Sequence, residues 1–558
     1  MSKSVGISKL PDGKKVDYSL YLVTDSTPAI LGDKDIVEVV EAALQGGVTI
    51  VQYRDKTSDT ADLISTGKKL HAITQKYGVP LLINDRLDVA IAVGCQGVHI
   101  GQDDIDLSTA REILGPDAII GVTASSIPEA LAACQNGANY LGIGTMFATP
   151  TKTNTKGIIG TAGTKEILGA IAEHGYADSV STVSIGGINP STIQRVLYQS
   201  AHPLKPLSGV AIVSAIISAP SPKTAASQLL HLLHTPPPFT TTSLTHPPKP
   251  TSPKPTSPKP TSPETLLSQI PTIILAVNRT TPLSHNITNL VVQNLAANVA
   301  LAIGGSPIMS NSGAEASDLA LLGGSLVLNM GSITPEGLQN SIQALRAYNL
   351  CGGPVVLDPV GAGATAVRRD AVRTLLASGY FDVIKGNEGE IKTVFAVGTG
   401  ARNSTGKEEV QQQRGVDSGP STLSPSQKAQ LVRALALRER NIVLMTGATD
   451  FLSDGQRTFA VENGHELLGR ITGSGCVLGT AISCMLAVSR EDKLLGALAG
   501  LLHFEIAAEV AAQREDVRGP GTFVPALIDE LWGVGRRTVE GDLRWLERAR
   551  VRCVDVED

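Results

Sequence analysis

The chain has 558 residues, enough for two or three domains that each bury a full core. Its composition, 42% hydrophobic and 18% charged, is globular, and a net charge of -5 leaves no basic footprint for nucleic acid. The 6 cysteines form no CxxC pair, which argues against a disulfide framework or a structural zinc site and fits a reducing compartment. The opening MSKSVGISKLPDGKK lacks the apolar segment of a secretory leader, and no apolar run is read as long enough to span a bilayer. The expected location is the cytoplasm.

From 1 to 233, short β-rich runs (20–24, 48–53, 81–84, 97–100, 119–123, 140–144, 183–186, 209–213) alternate with amphipathic stretches. Among the latter are IVEVVEAALQGG and PEALAACQNGA, whose Gly-Ala end suits a helix C-cap. Eight alternations predict a (β/α)8 TIM barrel, in which chemistry sits at the C-terminal ends of the strands. After the second run comes QYRDK, where Gln52, Arg54 and Lys56 alternate and share one side, as a phosphate-rich ligand requires. A solvated turn is the bland alternative. After the third and fourth runs come Asn84, Asp85, Asp103 and Asp104, hard oxygen ligands of the kind Mg²⁺ uses beside a diphosphate. Taken singly, such acids are helix caps. The sixth run leads to Thr149, Thr151 and Lys152, the seventh to Gly186 and Gly187, and the eighth to Val213 and Ser214, the usual barrel phosphate position.

In this order YLVTD, QYRDK, INDR, GVHIGQDD, ATPTK, IGGI and GVAIVSAI resemble thiamine-phosphate synthase. The resemblance implies that Gln52, Tyr53, Arg54, Asp55, Lys56, Asn84 and Thr123 hold hydroxymethylpyrimidine diphosphate, with Lys152 also on its phosphates. It implies Mg²⁺ on Asp85 and Asp104, and thiazole phosphate on Thr149, Pro150, Thr151, Gly187, Val213 and Ser214. The family commonly has serine where this chain has Thr123, and a hydroxyl is kept. The implied chemistry is departure of diphosphate, stabilised by Mg²⁺ and by Arg54, Lys56 and Lys152, and capture of a methylene cation by the thiazole nitrogen. His99 is read as a strand histidine satisfied by backbone, with a contact to the pyrimidine as the alternative.

Residues 234–265 contain three copies of Lys-Pro-Thr-Ser-Pro and almost nothing apolar, and read as a disordered polyproline II spacer. A docking site for a proline-recognising domain is the other reading.

From 266 to 558, apolar runs resume (TIILAVNRT, SLVLNMG, GPVVLDPVG, FDVIKGN, NIVLMTGATDFLSDG) with helices between them, and the last third is mostly helical. This predicts an open α/β sandwich. In GRITGSGCVLGTAI, Gly473, Ser474, Gly475 and Cys476 open an apolar helix whose N–H groups and dipole favour an anion, and there the Cys476 thiol could be acidified. KGNEGE offers Asn387 and Glu390 for a hydrated Mg²⁺ or for a helix cap. LDPVGAGATAVRR offers Asp358 and Arg368. A helix through NITNLVVQNLAANVALAIGGSPIMS carries Gln293, Asn294 and Asn298 and ends at Met309; buried asparagines there would line a pocket or lock an interface.

TNLVVQN, GGSPIMS, LDPVGAGAT, KGNEGE, VLMTG and TGSGC together resemble hydroxyethylthiazole kinase of the ribokinase-like group. The resemblance implies that Met309 touches the thiazole, that Arg368, Thr446 and Gly473 hold ATP, and that Cys476 takes the proton of the thiazole ethanol. It also implies homo-oligomers in multiples of three. A polar insert at 397–426 departs from the pattern and reads as a disordered loop. The whole resembles the fused fungal form of thiamine biosynthesis enzyme, the kinase feeding the synthase. A hydroxymethylpyrimidine kinase, a Schiff-base barrel using Lys152, and a non-catalytic sensing half are the alternatives.

Overall fold

The structure, a computed structural model, describes residues 15–147, 158–240, 262–399 and 421–556. It divides into two units, Met1–Pro237 and Pro238–Asp558. In the first, β1 (Leu20–Val23), β2 (Ile50–Tyr53), β3 (Leu81–Asn84), β4 (Gly97–Ile100), β5 (Ile119–Ala124), β6 (Tyr140–Ile143), β7 (Ser181–Ile185) and β8 (Gly209–Ile212) pair in parallel and close into a barrel. Period-two alternation sends Tyr21, Val23, Ile50, Leu82, Ile119, Tyr140, Val183 and Ala211 into its interior. The connecting helices start where capping chemistry places them. The Asp35 carboxylate accepts from the N–H of Val37 and Glu38 before Ile36–Gln45, and Ser126 accepts from Glu129 before Ile127–Gln135. Gly137, just past the latter helix, has φ +88°, as a helix stop requires.

In the second unit the sheet order is β10-β9-β11-β12-β13-β14-β15-β16-β17. The strands are β9 (Leu283–Ile287), β10 (Ser306–Ile308), β11 (Ser325–Asn329), β12 (Val355–Asp358), β13 (Val383–Asn387), β14 (Ile442–Thr446), β15 (Asp450–Ser453), β16 (Thr458–Val461) and β17 (Val551–Cys553). Pairing is parallel through β14 and antiparallel beyond it. Val327, Val356 and Val383 pack against one helical layer, while Leu326, Leu328, Leu357 and Ile384 pack against the other. The open sandwich is thus present, with helices on both faces.

Several expectations are corrected. TIILAVNRT is the end of a helix, Pro263–Thr280, whose buried Leu266, Ile270, Ile273, Ile274 and Val277 recur at helical spacing. The helix at Asn294 covers only Gln293–Ile303, and β10 precedes Met309. Among the described residues, one helix is long and apolar enough for a bilayer: Lys493–Ala512 passes by length and composition, yet it is a core helix, with 94% of its apolar window buried. Of the proline-rich stretch, residues 241–261 lie outside the described residues. Phe239, just before them, is buried in the second unit, its ring stacked on Tyr380 and its carbonyl accepting from Lys493 Nζ at 2.6 Å. Of the insert, 400–420 lie outside the described residues; Ser421 and Thr422 bond to Glu388, and Ser424 forms a capping box with Gln427.

Candidate active sites

Strand ends β1 to β5 gather a charged rim on the barrel. Arg54 Nη1 pairs with the buried Asp25 carboxylate at 2.7 Å, and its backbone N–H donates to Thr24 Oγ1 at 2.8 Å. Lys56 pairs with Asp85, which stands at φ +59°, a left-handed backbone that a non-glycine residue adopts at a cost. Asp104 Oδ2 accepts from the N–H of Gly101 at 2.7 Å. Burial, and then the neighbouring Asp85 carboxylate, push the Asp104 carboxyl above its ordinary value. Two carboxylates crowded together beside one lysine form a donor set that fits a hard divalent cation. Among the described residues no group of three His, Cys, Asp or Glu could hold a metal, so these two would leave most of an ion's coordination to water and ligand oxygens.

Gln52 is buried and donates from Nε2 to the Tyr21 hydroxyl at 2.9 Å. Alternation turns Tyr53 the other way: its hydroxyl bonds Thr66 on the helix layer, and burial pushes it up to about 12. Against burial, which would raise it, hydrogen bonds from Thr57 and Ser58 hold the Asp55 carboxylate below its usual range, so it serves its own turn. The side chains of Tyr53 and Asp55 thus bond to the helix layer and to their own turn. His99 is satisfied by side chains rather than backbone, with Nδ1 2.8 Å from the Tyr140 hydroxyl and Nε2 2.9 Å from Thr123 Oγ1. Asn84 ends β3 beside them, its Cα paired with that of His99. Gly186 and Gly187 follow β7 at φ +105° and +67°, and Val213 and Ser214 follow β8, half-buried. Thr149, Pro150, Thr151 and Lys152 lie outside the described residues.

In the second unit a polar chain crosses the ends of β9, β11, β12 and β13. Asn289 Nδ2 lies 3.4 Å from Cys476 Sγ and donates to Asn329 Oδ1 at 2.9 Å. Asn329 Nδ2 donates to Asp358 Oδ2 at 2.7 Å, and Lys385 Nζ donates to Asp358 Oδ1 at 3.0 Å. Burial alone would depress the Lys385 ammonium, but Asp358, Cys476 and Glu390 hold it above its ordinary value. The acidification expected of Cys476 is reversed: burial, then the Asp358 charge, push its thiol up to about 11. Asn387 and Glu390 form a buried reciprocal cap, each accepting the other's N–H, with Glu390 also accepting from Gly361; burial raises its carboxyl to about 7. Arg368 clasps two loops, donating to the carbonyls of Met330, Gly331 and Val360 at 2.7–2.9 Å.

Gly473 caps the helix Ser474–Val488 at φ +82° with no side-chain cap bond, leaving first-turn N–H groups for an anion. A Cβ there would lie 2.1 Å from Val292, so glycine is required. Thr446 ends β14, half-buried, and Met309 packs partly buried against the core. Asn294 is exposed and bonds only along its own helix with Asn298, which corrects the buried asparagine pair. The sequence reading missed Asp25, Asn329 and Lys385. Their signals were the last letter of YLVTD, the asparagine of SLVLNMG and the first letter of KGNEGE.

Residues 20–216 match the family described as Thiamine monophosphate synthase, and 274–536 match the Hydroxyethylthiazole kinase family. A "Probable thiamine biosynthetic bifunctional enzyme" of Schizosaccharomyces pombe is 42% identical over 547 residues, 96% of this chain and 99% of its own. The "Thiamine biosynthetic bifunctional enzyme" of Saccharomyces cerevisiae is 36% identical, covering 93% of this chain and 96% of its own. A hydroxyethylthiazole kinase of Roseiflexus castenholzii is 39% identical over 284 residues, 51% of this chain and 98% of its own.

Proposed function

Because the chain belongs to the family of thiamine biosynthetic bifunctional enzymes, we propose that each site described above carries one of its two transfer reactions. The first unit is a thiamine-phosphate synthase domain, fused to a hydroxyethylthiazole kinase domain in the second. The observation that carries the residue assignments is the convergence of Lys56, Asp85 and Asp104 on the barrel rim beside Arg54.

In the barrel, Arg54 and Lys56 are cations already oriented by carboxylates, ready to neutralise a departing diphosphate without reorganisation. Asp85 and Asp104 would hold Mg²⁺, which would add positive charge at the leaving oxygens. No residue here need act as a strong base; Gln52, Asn84 and Thr123 orient the pyrimidine, and the glycines after β7 with Val213 and Ser214 offer backbone donors to the thiazole phosphate. In the kinase, the open first turn at Gly473 meets ATP phosphates, with Thr446 and Arg368 beside them, and Met309 contacts the thiazole. Cys476, in the fraction of molecules where its thiol is ionised, is the proposed proton acceptor. A thiol near 11 is protonated at neutral pH, so phosphoryl transfer there rests on positioning and charge neutralisation. Assembly in multiples of three is part of the proposal, and the exposed Leu290, Val291 and Leu301 would suit an interface.

The test supplies full-length protein with hydroxyethylthiazole, ATP and hydroxymethylpyrimidine diphosphate. Thiamine phosphate is expected only when all three are present. Formation without ATP, or none with all three, would sink the two-step reading.

A further inference from the structure

Inside the barrel runs a continuous chain of hydrogen bonds. Gln52 Nε2 donates to the Tyr21 hydroxyl at 2.9 Å, and the Tyr21 and Tyr140 hydroxyls are 2.6 Å apart. Tyr140 meets His99 Nδ1 at 2.8 Å, and His99 Nε2 meets Thr123 Oγ1 at 2.9 Å. Space for it is built in: a Cβ on Gly121 would lie 2.0 Å from the Tyr140 ring, and one on Gly142 would lie 3.1 Å from the His99 ring.

A tyrosine hydroxyl has one hydrogen, and an imidazole whose Nδ1 accepts carries its proton on Nε2. With Gln52 donating, to Tyr21 and also to Tyr140, every hydroxyl hydrogen of the chain is used when Tyr21 gives its own to Tyr140 and Tyr140 gives its own to His99 Nδ1. His99 Nε2–H then points at Thr123 Oγ1, and the Thr123 hydrogen is left for another acceptor. At the other end the Gln52 amide turns its Oε1 away from the relay, as an acceptor. Reversing the amide would reverse every bond in the chain.

We propose that Tyr21 is a specificity-determining positioning residue of the barrel reaction. Through Tyr140 and His99 it sets Gln52 Oε1 as an acceptor and the Thr123 hydroxyl as a donor. That polarity suits a ring that turns an amino group to Gln52 and an unprotonated nitrogen to Thr123, and it opposes an oxo ring that offers a carbonyl and an N–H instead. The inference rests on the condensation proposed above.

The experiment compares kcat/KM for the aminopyrimidine diphosphate and its oxo analogue in the wild type and in Tyr21→Phe. The wild-type preference for the amino ring is expected to be about a hundredfold or more. Tyr21→Phe, by freeing the amide to turn over, should cut that preference about tenfold. Inhibition by inorganic diphosphate, which answers to the rim cations, should stay within about twofold. An unchanged preference, even with a slower rate, would overturn the proposal and leave Tyr21 a packing residue. Independently of turnover, ¹⁵N spectra of the wild type should show His99 as the Nε2–H tautomer, assigned by loss of its signal in His99→Gln; an Nδ1–H tautomer would also overturn it. Should the wild type fail to condense the amino substrate at all, the condensation reading falls, and the tautomer still decides the relay.

Discussion

Replacing Cys476 by alanine should have an effect on the kinase that grows with pH. A thiol held near 11 rather than 9.0 is a thiolate about a hundredfold less often at any pH below 9, roughly 3 kcal/mol against the reactive form. At pH 7 the thiolate fraction is on the order of 10⁻⁴, whereas a positioned general base contributes about 10²–10⁴ in rate. The product of the two is about one or less, so Cys476→Ala should keep kcat within about tenfold of wild type at pH 7. By pH 9 the fraction has climbed to about 10⁻², and the ratio of wild type to variant should widen toward a hundredfold. The assay is steady-state phosphorylation of hydroxyethylthiazole at saturating ATP between pH 6.5 and 9, with alkylation of Cys476 followed by mass spectrometry as a second reading of the same ionisation. A loss above about a thousandfold at pH 7, flat with pH, would mean that the thiolate is already formed. Burial and the neighbouring Asp358 charge would then be the wrong account of this cysteine.

Asp85→Asn with Asp104→Asn should lower condensation at least about a hundredfold while leaving the kinase rate unchanged; equal loss in both assays would point to unfolding instead of a barrel site. A kinase fragment starting at 238 should be more stable than one starting at 262 by about 2–3 kcal/mol, the worth of burying and stacking Phe239, as read by denaturant melts. Equal midpoints would show that Phe239 is not part of that unit's core. Asp450 Oδ2 and Glu505 Oε2 are buried without a hydrogen-bond donor, and burial first, then Asp450, raises the Glu505 carboxyl well above its ordinary 4.5. The folded state thus keeps a proton that the unfolded state releases, so this contribution is whole below the ordinary carboxyl range and drains away as pH rises, by about 1.4 kcal/mol per pH unit. Glu505→Gln, whose amide donates in place of that proton, should flatten the slope between pH 5 and 8; parallel slopes would remove the shared proton from consideration.

What the sequence made legible follows from which interactions are local. Strand ends were readable because a period of two leaves little freedom: QYRDK ends β2, INDR ends β3, and the side shared by Gln52, Arg54 and Lys56 is a matter of counting. Glycines were readable at Gly187 and Gly473 because positive φ is a property of one residue. TIILAVNRT misled because a short apolar run has no period of its own, and only its neighbours Leu266 and Ile270 reveal a helix. The acidity of Cys476 lay further out of reach. The helix dipole that would acidify it is written in TGSGC, but what overrules the dipole is burial and then the Asp358 charge, brought by the fold from a strand end 118 residues away, against the opposing hydrogen bonds of Asn289 and Asn329. The same holds for the relay from Gln52 to Thr123, whose five members sit on β1, β2, β4, β5 and β6 and meet only when the barrel closes. A motif names the atoms that can react; the charge and proton they carry are set by residues that the fold brings from elsewhere in the chain.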